Sequence, residues 1–516
     1  MSIPFDRTDF AYFWRIEIIQ FLLKLMGQML RPWKTILNIE LGSHKAVFQQ
    51  IADGIIGEIR KGRLKPGMSL PGSRILAADI GVNRKTVVLA YEELIAEGWL
   101  ETAYKKGTFV SEKLPKQKER RRQRNEESIS SVKNFSFTAF GSGMPASVSA
   151  EVPLIVFNDG LPDVKLAPLD ELARAYKRIF QQKARWRMLG YANERGEERL
   201  RTAISTMLRM DRGVSFDINQ ICVTRGSQMA LYLSAQILIK PGDIVVVETP
   251  GFRPAFEAFE HAGAKLIPVE VDEQGICIPE LEELCRNKTV KAVYVTPHHQ
   301  FPTTVSMKAD RRLRLLELAN KYGFAIIEDD YDHDYHFGMR SLLPLASYDN
   351  AQNVIYISSL SKLIAPAVRV GYVAGPERFI DALAALRMTI DRQGDPVMEN
   401  AVAELMEEGT VNKHAKRALG VYRERRASMS KHLDKYLKEK ADYHLPEGGL
   451  AFWLKFKTPV DTAALSESLL KHGVQVISTE RFSFNGKALN ALRLGYADLD
   501  EEELERGIQI IASLIP

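Results

Sequence analysis

The chain has 516 residues, which is too long for one ordinary domain, and its 45% hydrophobic and 26% charged residues exclude a largely disordered protein. A formal net charge of +5 is too small to make the whole molecule a nucleic-acid binder, so any such contact requires a local basic face. The three cysteines, Cys222, Cys277 and Cys285, lack metal-ligand spacing and cannot all pair, which predicts a reducing, cytoplasmic environment.

Residues 1–40 are predicted to be an N-terminal extension of open role. Residues 10–30 are rich in Phe, Trp, Ile, Leu and Met, but charged residues interrupt a run too short for a transmembrane helix, so we expect no membrane partner. An amphipathic helix on a membrane surface or a partner is one interpretation. We favour a poorly ordered extension, or an upstream start codon with Met26 or Met29 as the true first residue.

Residues 41–112 carry the pattern of three helices followed by a hairpin. The first helix is predicted over Val47–Arg60, the second over 74–80 with Ser73 as its N-cap, and the third over 84–97 with Asn83 as its cap. Residues 98–110 are typical of a small hairpin. This order predicts a winged helix-turn-helix, in which the third helix begins in a major groove and the hairpin tip follows the DNA backbone.

The segment 65–110 resembles the GntR family of bacterial DNA-binding domains over nearly its whole length. That family usually has Pro-Ser-x-Arg, Gly-Val-Ser-Arg and a Gly-x-Gly wing, where this chain has Gly72, Asn83 and the pair Lys105-Lys106. The resemblance implies a double-stranded DNA operator as partner and a DNA-binding face made by Arg74, Arg84, Lys85, Thr86, Lys105, Lys106 and Gly107. An arginine at the start of a recognition helix either reads guanine or contacts phosphate, and phosphate is the commoner partner. The alternative is a solvated charged face without DNA.

Residues 113–153 predict a flexible linker. A basic run, Lys-Gln-Lys-Glu-Arg-Arg-Arg-Gln-Arg, is followed by a stretch rich in Ser, Gly and Ala, and neither has an apolar face to bury.

Residues 154–516 repeat one pattern, a short apolar strand that ends in polar residues. Lys362 follows such a strand at 354–357 and has Ser359, Ser361 and Arg369 nearby in the sequence. The other strand ends carry Ser227 with Gln228, Phe252, His298 with His299, and Asp329 with Tyr331. Open α/β sheets bind ligands beyond the carboxyl ends of their strands, so we expect these residues to form one site.

Pyridoxal phosphate is the cofactor whose requirements these residues meet. Lys362 would form a Schiff base with its aldehyde, and Asp329 would keep its pyridine nitrogen protonated. Ser227, Gln228, Ser359 and Arg369 would hold the phosphate, and Phe252 would lie against the ring. An isolated Ser-x-Ser-Lys is more often an exposed strand end, and the complete set decides against that interpretation.

The region 154–516 resembles the fold-type I aminotransferases, and the whole chain resembles the MocR/GabR-type regulators, in which a GntR domain precedes such a body. The resemblance implies an α/β fold with a large mixed, mostly parallel sheet and a smaller C-terminal α+β domain. It places Tyr331 near the cofactor's phenolic oxygen, makes Arg493 the clamp for an amino acid's carboxylate, and makes Tyr191 the residue that reaches the phosphate of the other subunit in a homodimer. The implied function is a regulator that senses an amine, an amino acid or the cofactor itself, without sustained turnover. The alternative is an active aminotransferase with an accessory DNA-binding domain.

Some residues depart from the family patterns. Phe301 stands where free-standing aminotransferases have an Asn that bonds the cofactor ring, Thr304 where a Gly is usual, and Ala451 where many relatives have His. Residues 332–336, Asp-His-Asp-Tyr-His, together with His298 and His299, look like metal ligands, but we predict a loop wall and no metal site.

Overall fold

The computed structural model describes residues 32–40, 42–43, 45–115, 155–181, 185–338 and 342–515. The chain divides into an N-terminal unit, Met1–Ser142, and a C-terminal unit, Gly143–Pro516. Most of the predicted extension and nearly all of the predicted linker lie outside the described residues, so the domain boundaries stay predictions. Among the helices that the structure describes, none has the length and apolar character needed to cross a membrane.

The N-terminal unit is a three-helix arrangement with a short helix in front and a hairpin behind. Its elements are α1 (Trp33–Leu37), α2 (Val47–Arg60), α3 (Ser73–Ile80), α4 (Arg84–Ala96), β1 (Leu100–Ala103) and β2 (Gly107–Val110). The side chain of Asn83 accepts a hydrogen bond from the Lys85 backbone N–H at 2.9 Å and so caps α4 as predicted. The predicted cap at Ser73 is wrong, because the extended backbone lies one residue earlier, at Gly72.

Helix α1 completes the core of this unit although it precedes residue 41. Trp33 and Leu37 are only 4% and 5% exposed and lie in one cluster with the apolar faces of α2, α3 and α4. Gly54 makes this packing possible, since a Cβ atom there would lie 2.5 Å from Leu37 Cδ2. The Gln50 side-chain amide of α2 fixes the segment between α1 and α2 by donating to the backbone carbonyls of Glu40 and Lys45.

The C-terminal unit alternates strands and helices. Its helices of at least four residues are α5 (Leu169–Gln181), α6 (Arg185–Met188), α7 (Glu198–Asp211), α8 (Ser227–Leu238), α9 (Arg253–His261), α10 (Ile278–Asn287), α11 (Ala309–Tyr322), α12 (Glu377–Ile390), α13 (Pro396–Glu407), α14 (Thr410–Tyr436), α15 (Thr462–Lys471) and α16 (Glu501–Leu514). Its strands are β3 (Ile155–Phe157), β4 (Ile221–Thr224), β5 (Ile244–Thr249), β6 (Lys265–Asp272), β7 (Gly275–Ile276), β8 (Val290–Val295), β9 (Ala325–Asp330), β10 (Val354–Ser359), β11 (Gly371–Ala374), β12 (Ala441–Tyr443), β13 (Ala451–Phe456), β14 (Val474–Val476) and β15 (Ala491–Gly495).

Eight strands form the large sheet in the order β4-β11-β10-β9-β8-β5-β6-β7. The five central strands β10, β9, β8, β5 and β6 are parallel to one another. Strand β11 runs antiparallel to both β10 and β4, and β7 runs antiparallel to β6. Strands β5, β8, β9 and β10 are buried on both faces, which explains their continuous Val and Ile runs. Their carboxyl ends meet at one edge and position the site.

A second group of elements, the small lobe, consists of β3, β12 to β15, α15 and α16. Strands β12, β13 and β15 form an antiparallel sheet, and β14 pairs in parallel with β3 from the start of the unit. Phe157 of β3 lies in the core of the small lobe with residues of β13 and β15. The α/β fold with a smaller C-terminal α+β part is therefore confirmed.

Candidate functional site

Lys362 lies just beyond the end of β10, where the sequence places it. Its Nζ donates to the Gly160 carbonyl at 3.1 Å and lies 4.3 Å from the centre of the Tyr331 ring. Burial lowers the pKa of the Lys362 amine, and the Asp332 and Asp159 carboxylates oppose that change. A partly buried lysine whose pKa is lowered gives up its proton more readily, as a nucleophilic amine must.

Asp329 is buried on β9 beside β10, 3% exposed. Its Oδ2 accepts from the Tyr294 hydroxyl at 2.9 Å, while Oδ1 has no hydrogen-bond partner among the described residues. Burial raises the pKa of Asp329 to about 7. A buried carboxylate with an unsatisfied oxygen suits a protonated ring nitrogen, whose positive charge would stabilise the ionised form.

The start of helix α8 and the loop after β10 form a cradle for an anion. Gly226 has φ +82°, a left-handed conformation that favours glycine, and the Arg369 guanidinium lies so close that a Cβ atom there would be 2.6 Å from its Nη2. Ser227 follows as the first residue of α8, whose free N–H groups favour a phosphate. The Ser359 hydroxyl accepts from the Ser361 backbone N–H at 3.1 Å.

Two details of this cradle differ from the sequence interpretation. The Gln228 side chain is exposed and donates to the Pro254 carbonyl at 3.0 Å, which leaves its backbone N–H as its contribution to the helix start. Ser361, not among the residues predicted to bind phosphate, is 6% exposed and its hydroxyl lacks a hydrogen-bond partner among the described residues. This buried hydroxyl, two residues from Ser359, is available to donate to a phosphate, and the Ser-x-Ser-Lys spacing could have signalled it.

The aromatic residues predicted near the cofactor lie together. The rings of Phe252 and Phe301 meet edge to face with centres 5.2 Å apart, and Phe301 meets Tyr331 in the same way at 6.2 Å. The Tyr331 hydroxyl donates to the His299 carbonyl at 2.8 Å. The Phe301 ring therefore occupies the position where free-standing aminotransferases have an Asn side chain that donates a hydrogen bond to the cofactor ring.

Arg493 is held on β15 of the small lobe and is 1% exposed. Its Nε donates to the Asp159 carbonyl at 3.0 Å and its Nη1 to the Pro302 carbonyl at 2.6 Å. Since Lys362 donates to the adjacent Gly160 carbonyl, the lysine and the arginine converge on one short segment. A carboxylate is a stronger acceptor for guanidinium than the neutral carbonyls that it now bonds.

Tyr191 is 81% exposed, with the Arg392 guanidinium 4.9 Å above its ring. The role predicted for it requires a second subunit, so that role stays a prediction.

Two of the histidines considered as metal ligands, His299 and His333, each contact a buried carboxylate. His299 Nδ1 lies 2.8 Å from Asp332 Oδ1, and His333 Nδ1 lies 3.0 Å from Asp330 Oδ2. The possible ligand atoms of His298, Asp330 and His333 lie within 4.8 Å of one another. Asp330 already accepts from the Tyr356 hydroxyl at 2.5 Å, and the Arg212 guanidinium lies 3.8 Å away. We therefore interpret this cluster as a charge-balanced wall of the site.

The residues predicted to contact DNA are mostly exposed. Arg74, Arg84, Lys85, Lys105, Lys106 and Gly107 are exposed, and Thr86 is half-buried. Arg84 Nε donates to the Ser73 hydroxyl at 3.4 Å, which orients it across the start of α3. Lys105 adopts the left-handed conformation, φ +60°, at the tip of the hairpin, so both lysines lie on the wing.

The comparisons with known proteins agree with this division. The family model of bacterial regulatory proteins, gntR family, matches residues 48–110, and that of aminotransferase class I and II matches residues 153–511. The protein described as probable rhizopine catabolism regulatory protein MocR of Rhizobium meliloti is 29% identical over 467 residues, which cover 90% of this chain and 93% of the relative. This chain belongs to the MocR-type regulators.

Other relatives of this MocR-type chain lack the N-terminal part. Aromatic-amino-acid aminotransferase 1 of Thermococcus litoralis is 29% identical over 391 residues, 73% of this chain and 94% of the relative. The crystal structure of the multiple substrate aminotransferase of Thermococcus profundus covers 72% of this chain and 95% of its own, with a TM-score of 0.68 and 28% identity. The predictions of a DNA-binding, pyridoxal phosphate-dependent regulator are confirmed at the level of the family.

Proposed function

We propose that this MocR-type protein controls transcription in response to an amine or amino acid captured at its pyridoxal phosphate site. The observation that carries the proposal is the convergence of Lys362 and Arg493 on the adjacent carbonyls of Gly160 and Asp159. An amino acid could present its amino group to the cofactor at Lys362 and its carboxylate to Arg493.

The residues of the site have separate tasks in this proposal. Bound pyridoxal phosphate supplies an aldehyde that reacts with primary amines. Lys362 would anchor it, Asp329 would stabilise its protonated ring nitrogen, and Phe252 and Tyr331 would border its ring. The Ser227 backbone at the start of α8, with Ser359, Ser361 and Arg369, would hold its phosphate.

The signal reaches DNA through the small lobe in this proposal. Arg493 belongs to that lobe and Lys362 follows the large sheet, so a ligand held by both favours one arrangement of the two parts. A ligand shifts an equilibrium only if it binds one conformation more tightly. We also propose a homodimer in which Tyr191 contacts the partner's phosphate, so that two N-terminal units present Arg84 and the wing lysines to two half-sites.

The test is operator binding with and without amino acids, on DNA that the purified protein selects from a random pool. In wild type an effective amino acid should change the operator Kd. Arg493→Ala should retain the cofactor and DNA binding but lose that change. Arg425→Ala is the matched control, because Arg425 also donates to a backbone carbonyl, that of Ala497, outside the site. An unchanged response in Arg493→Ala would contradict the proposal and favour the cofactor itself as effector.

A working aminotransferase is the second candidate. The combination of Lys362, Asp329 and Arg493 in one site favours it, since these groups serve transamination as well as sensing. Sustained keto-acid production by the purified protein would support this candidate. A single turnover without accumulation would support the sensor.

A further inference from the structure

A cleft of about 740 Å³ opens beside the proposed carboxylate clamp. Phe252 and Phe301 line it from the loops of the large sheet, and Ile477, Phe482 and Phe484 line it from the small lobe. This volume lies in the usual range for small-molecule sites. Each side of the cleft contributes aromatic side chains, and polar and charged residues complete its lining.

Phe252, Phe301 and Phe482 form a connected aromatic wall along the cleft. Phe301 meets Phe252 edge to face at 5.2 Å and Phe482 at 5.5 Å, and Phe482 meets Trp453 at 6.2 Å. Phe484 is partly buried, with its ring centre 6.2 Å from that of Phe256. Edge-to-face contacts of this kind are the geometry that a further aromatic ring would extend.

The charged residues around the cleft carry both signs, with a small acidic excess. Arg253 pairs with two carboxylates, Glu257 at 3.5 Å and Glu260 at 3.1 Å, and Asp159 is a further carboxylate of the lining. Glu480 and Arg481 add one charge of each sign. An acidic excess disfavours acidic side chains, so discrimination among neutral amino acids falls to the aromatic wall.

The cleft begins where the carboxylate of a ligand would lie. Asp159 lines the cleft, and its carbonyl accepts from Arg493. The Arg493 guanidinium also lies 4.5 Å above the Phe301 ring, which is itself part of the wall. A substituent on the α-carbon of a clamped amino acid can thus extend from Arg493 along Phe301 into the cleft.

We infer that the site selects amino acids with an aromatic side chain. This inference rests on the proposed function and adds the class of effector to it. Burial of a ring against the wall should make L-phenylalanine or L-tryptophan bind roughly tenfold to a hundredfold more tightly than L-alanine.

The experiment titrates the cofactor-loaded protein with L-phenylalanine, L-tryptophan, L-alanine, L-aspartate and 4-aminobutyrate. Calorimetry gives each Kd, and the shift of the cofactor's absorption band shows that the ligand reaches the cofactor. Phe484→Ala should weaken the two aromatic amino acids about tenfold and leave L-alanine unchanged. Phe484→Leu keeps apolar volume without a ring, so its Kd values for the aromatic amino acids should lie between those of wild type and Phe484→Ala. Phe216→Ala is the control, because Phe216 is a partly buried ring of another core cluster.

Equal Kd values for L-alanine and L-phenylalanine would overturn this inference alone, since the amino acids would still be sensed. A preference for aromatic amino acids that persists in Phe484→Ala would also overturn the assignment of the cleft. Failure of every amino acid to bind, in protein that carries the cofactor, would overturn the proposed function and this inference together.

Discussion

The functional charges of the two units lie in opposite environments. Arg84, Lys105 and Lys106 of the N-terminal unit are exposed, whereas Asp329, Asp330 and Arg493 of the C-terminal unit are 3%, 1% and 1% exposed. Water solvates an exposed charge until a phosphate replaces it, but a buried charge must be balanced within the protein. Substitutions should therefore change function alone in the first unit, and function together with stability in the second.

The C-terminal unit contains a sharper version of this contrast. Asp329 and Asp330 are consecutive on β9, so their side chains point to opposite faces of the sheet. Burial raises the pKa of Asp329 to about 7, whereas His333, His298 and Arg212 outweigh burial and hold the pKa of Asp330 well below its usual value. Position in the chain does not set their roles; the partners on each face do.

The largest effect is expected from Lys362→Ala. Loss of the amine should abolish the absorption band of the lysine-linked cofactor and leave the fold intact, as measured by visible absorption and circular dichroism. Lys440→Ala is the control, because Lys440 is another lysine whose amine donates to backbone carbonyls, those of Ala512 and Ile515. A band that survives Lys362→Ala would show that the cofactor is bound elsewhere.

Asp330→Asn should destabilise the cofactor-free protein by about 3–5 kcal/mol, because it breaks a buried ion pair and leaves Arg212 undercompensated. Asp329→Asn should leave its stability at pH 7 unchanged or higher, since the amide oxygen can still accept from the Tyr294 hydroxyl and a neutral amide avoids the cost of a buried charge. Urea unfolding at pH 7 measures both. Equal losses for the two variants would remove the contrast between the two faces.

The pH dependence of stability should distinguish the same two residues. The folded-state pKa of Asp329 is raised from the usual 3.8 to about 7. Its contribution to the free energy of unfolding is therefore fully present below pH 3.8 and is lost as the pH rises toward 7. That loss amounts to about 1.4 kcal/mol per pH unit within the window, and Asp329→Asn should remove it from the cofactor-free protein. The pKa of Asp330 is depressed, so its contribution is present above pH 3.8 and is lost only in stronger acid. An identical slope in wild type and Asp329→Asn between pH 4 and 7 would contradict this assignment.

The smallest effects on the protein itself are expected in the N-terminal unit. Arg84→Ala should weaken operator binding by about 1–3 kcal/mol and leave the Tm unchanged. Lys105→Ala and Lys106→Ala should weaken binding to any DNA and lower the salt slope by about one each. Filter binding at several salt concentrations, with Lys113→Ala as an adjacent control, measures these effects. Equal operator affinity of wild type and Arg84→Ala would remove α4 from the recognition role.

The sequence predicted the parts of the site that depend on local patterns. Helix α2 begins and ends where its apolar spacing and glycine stop indicated, and Lys362 and Asp329 follow or end buried strands. The two residues converge because the carboxyl ends of parallel strands meet at one edge of the sheet, and this can be predicted without knowing how side chains pack.

The rest depends on contacts between distant residues. No local pattern shows that His333 pairs with Asp330 rather than with its nearer neighbours, or that Gln228 turns to Pro254. The helix α1 was missed because its five residues carry too little periodicity, and only Leu37 against Gly54 reveals its place. Strand β10 pairs in parallel with β9 and antiparallel with β11, and its apolar sequence does not indicate which neighbour runs in which direction.

The pairing of β3 with β14 has a consequence for biosynthesis. Ile155–Phe157 emerges from the ribosome early, but its partner Val474–Val476 is made near the end of the chain. The N-terminal unit packs residues 33–110 against one another and can fold as soon as they are synthesised. During synthesis the winged helix-turn-helix can therefore be folded while β3 of the C-terminal unit still lacks its partner strand. An unpaired strand edge can aggregate, so chaperone binding should matter most at this stage.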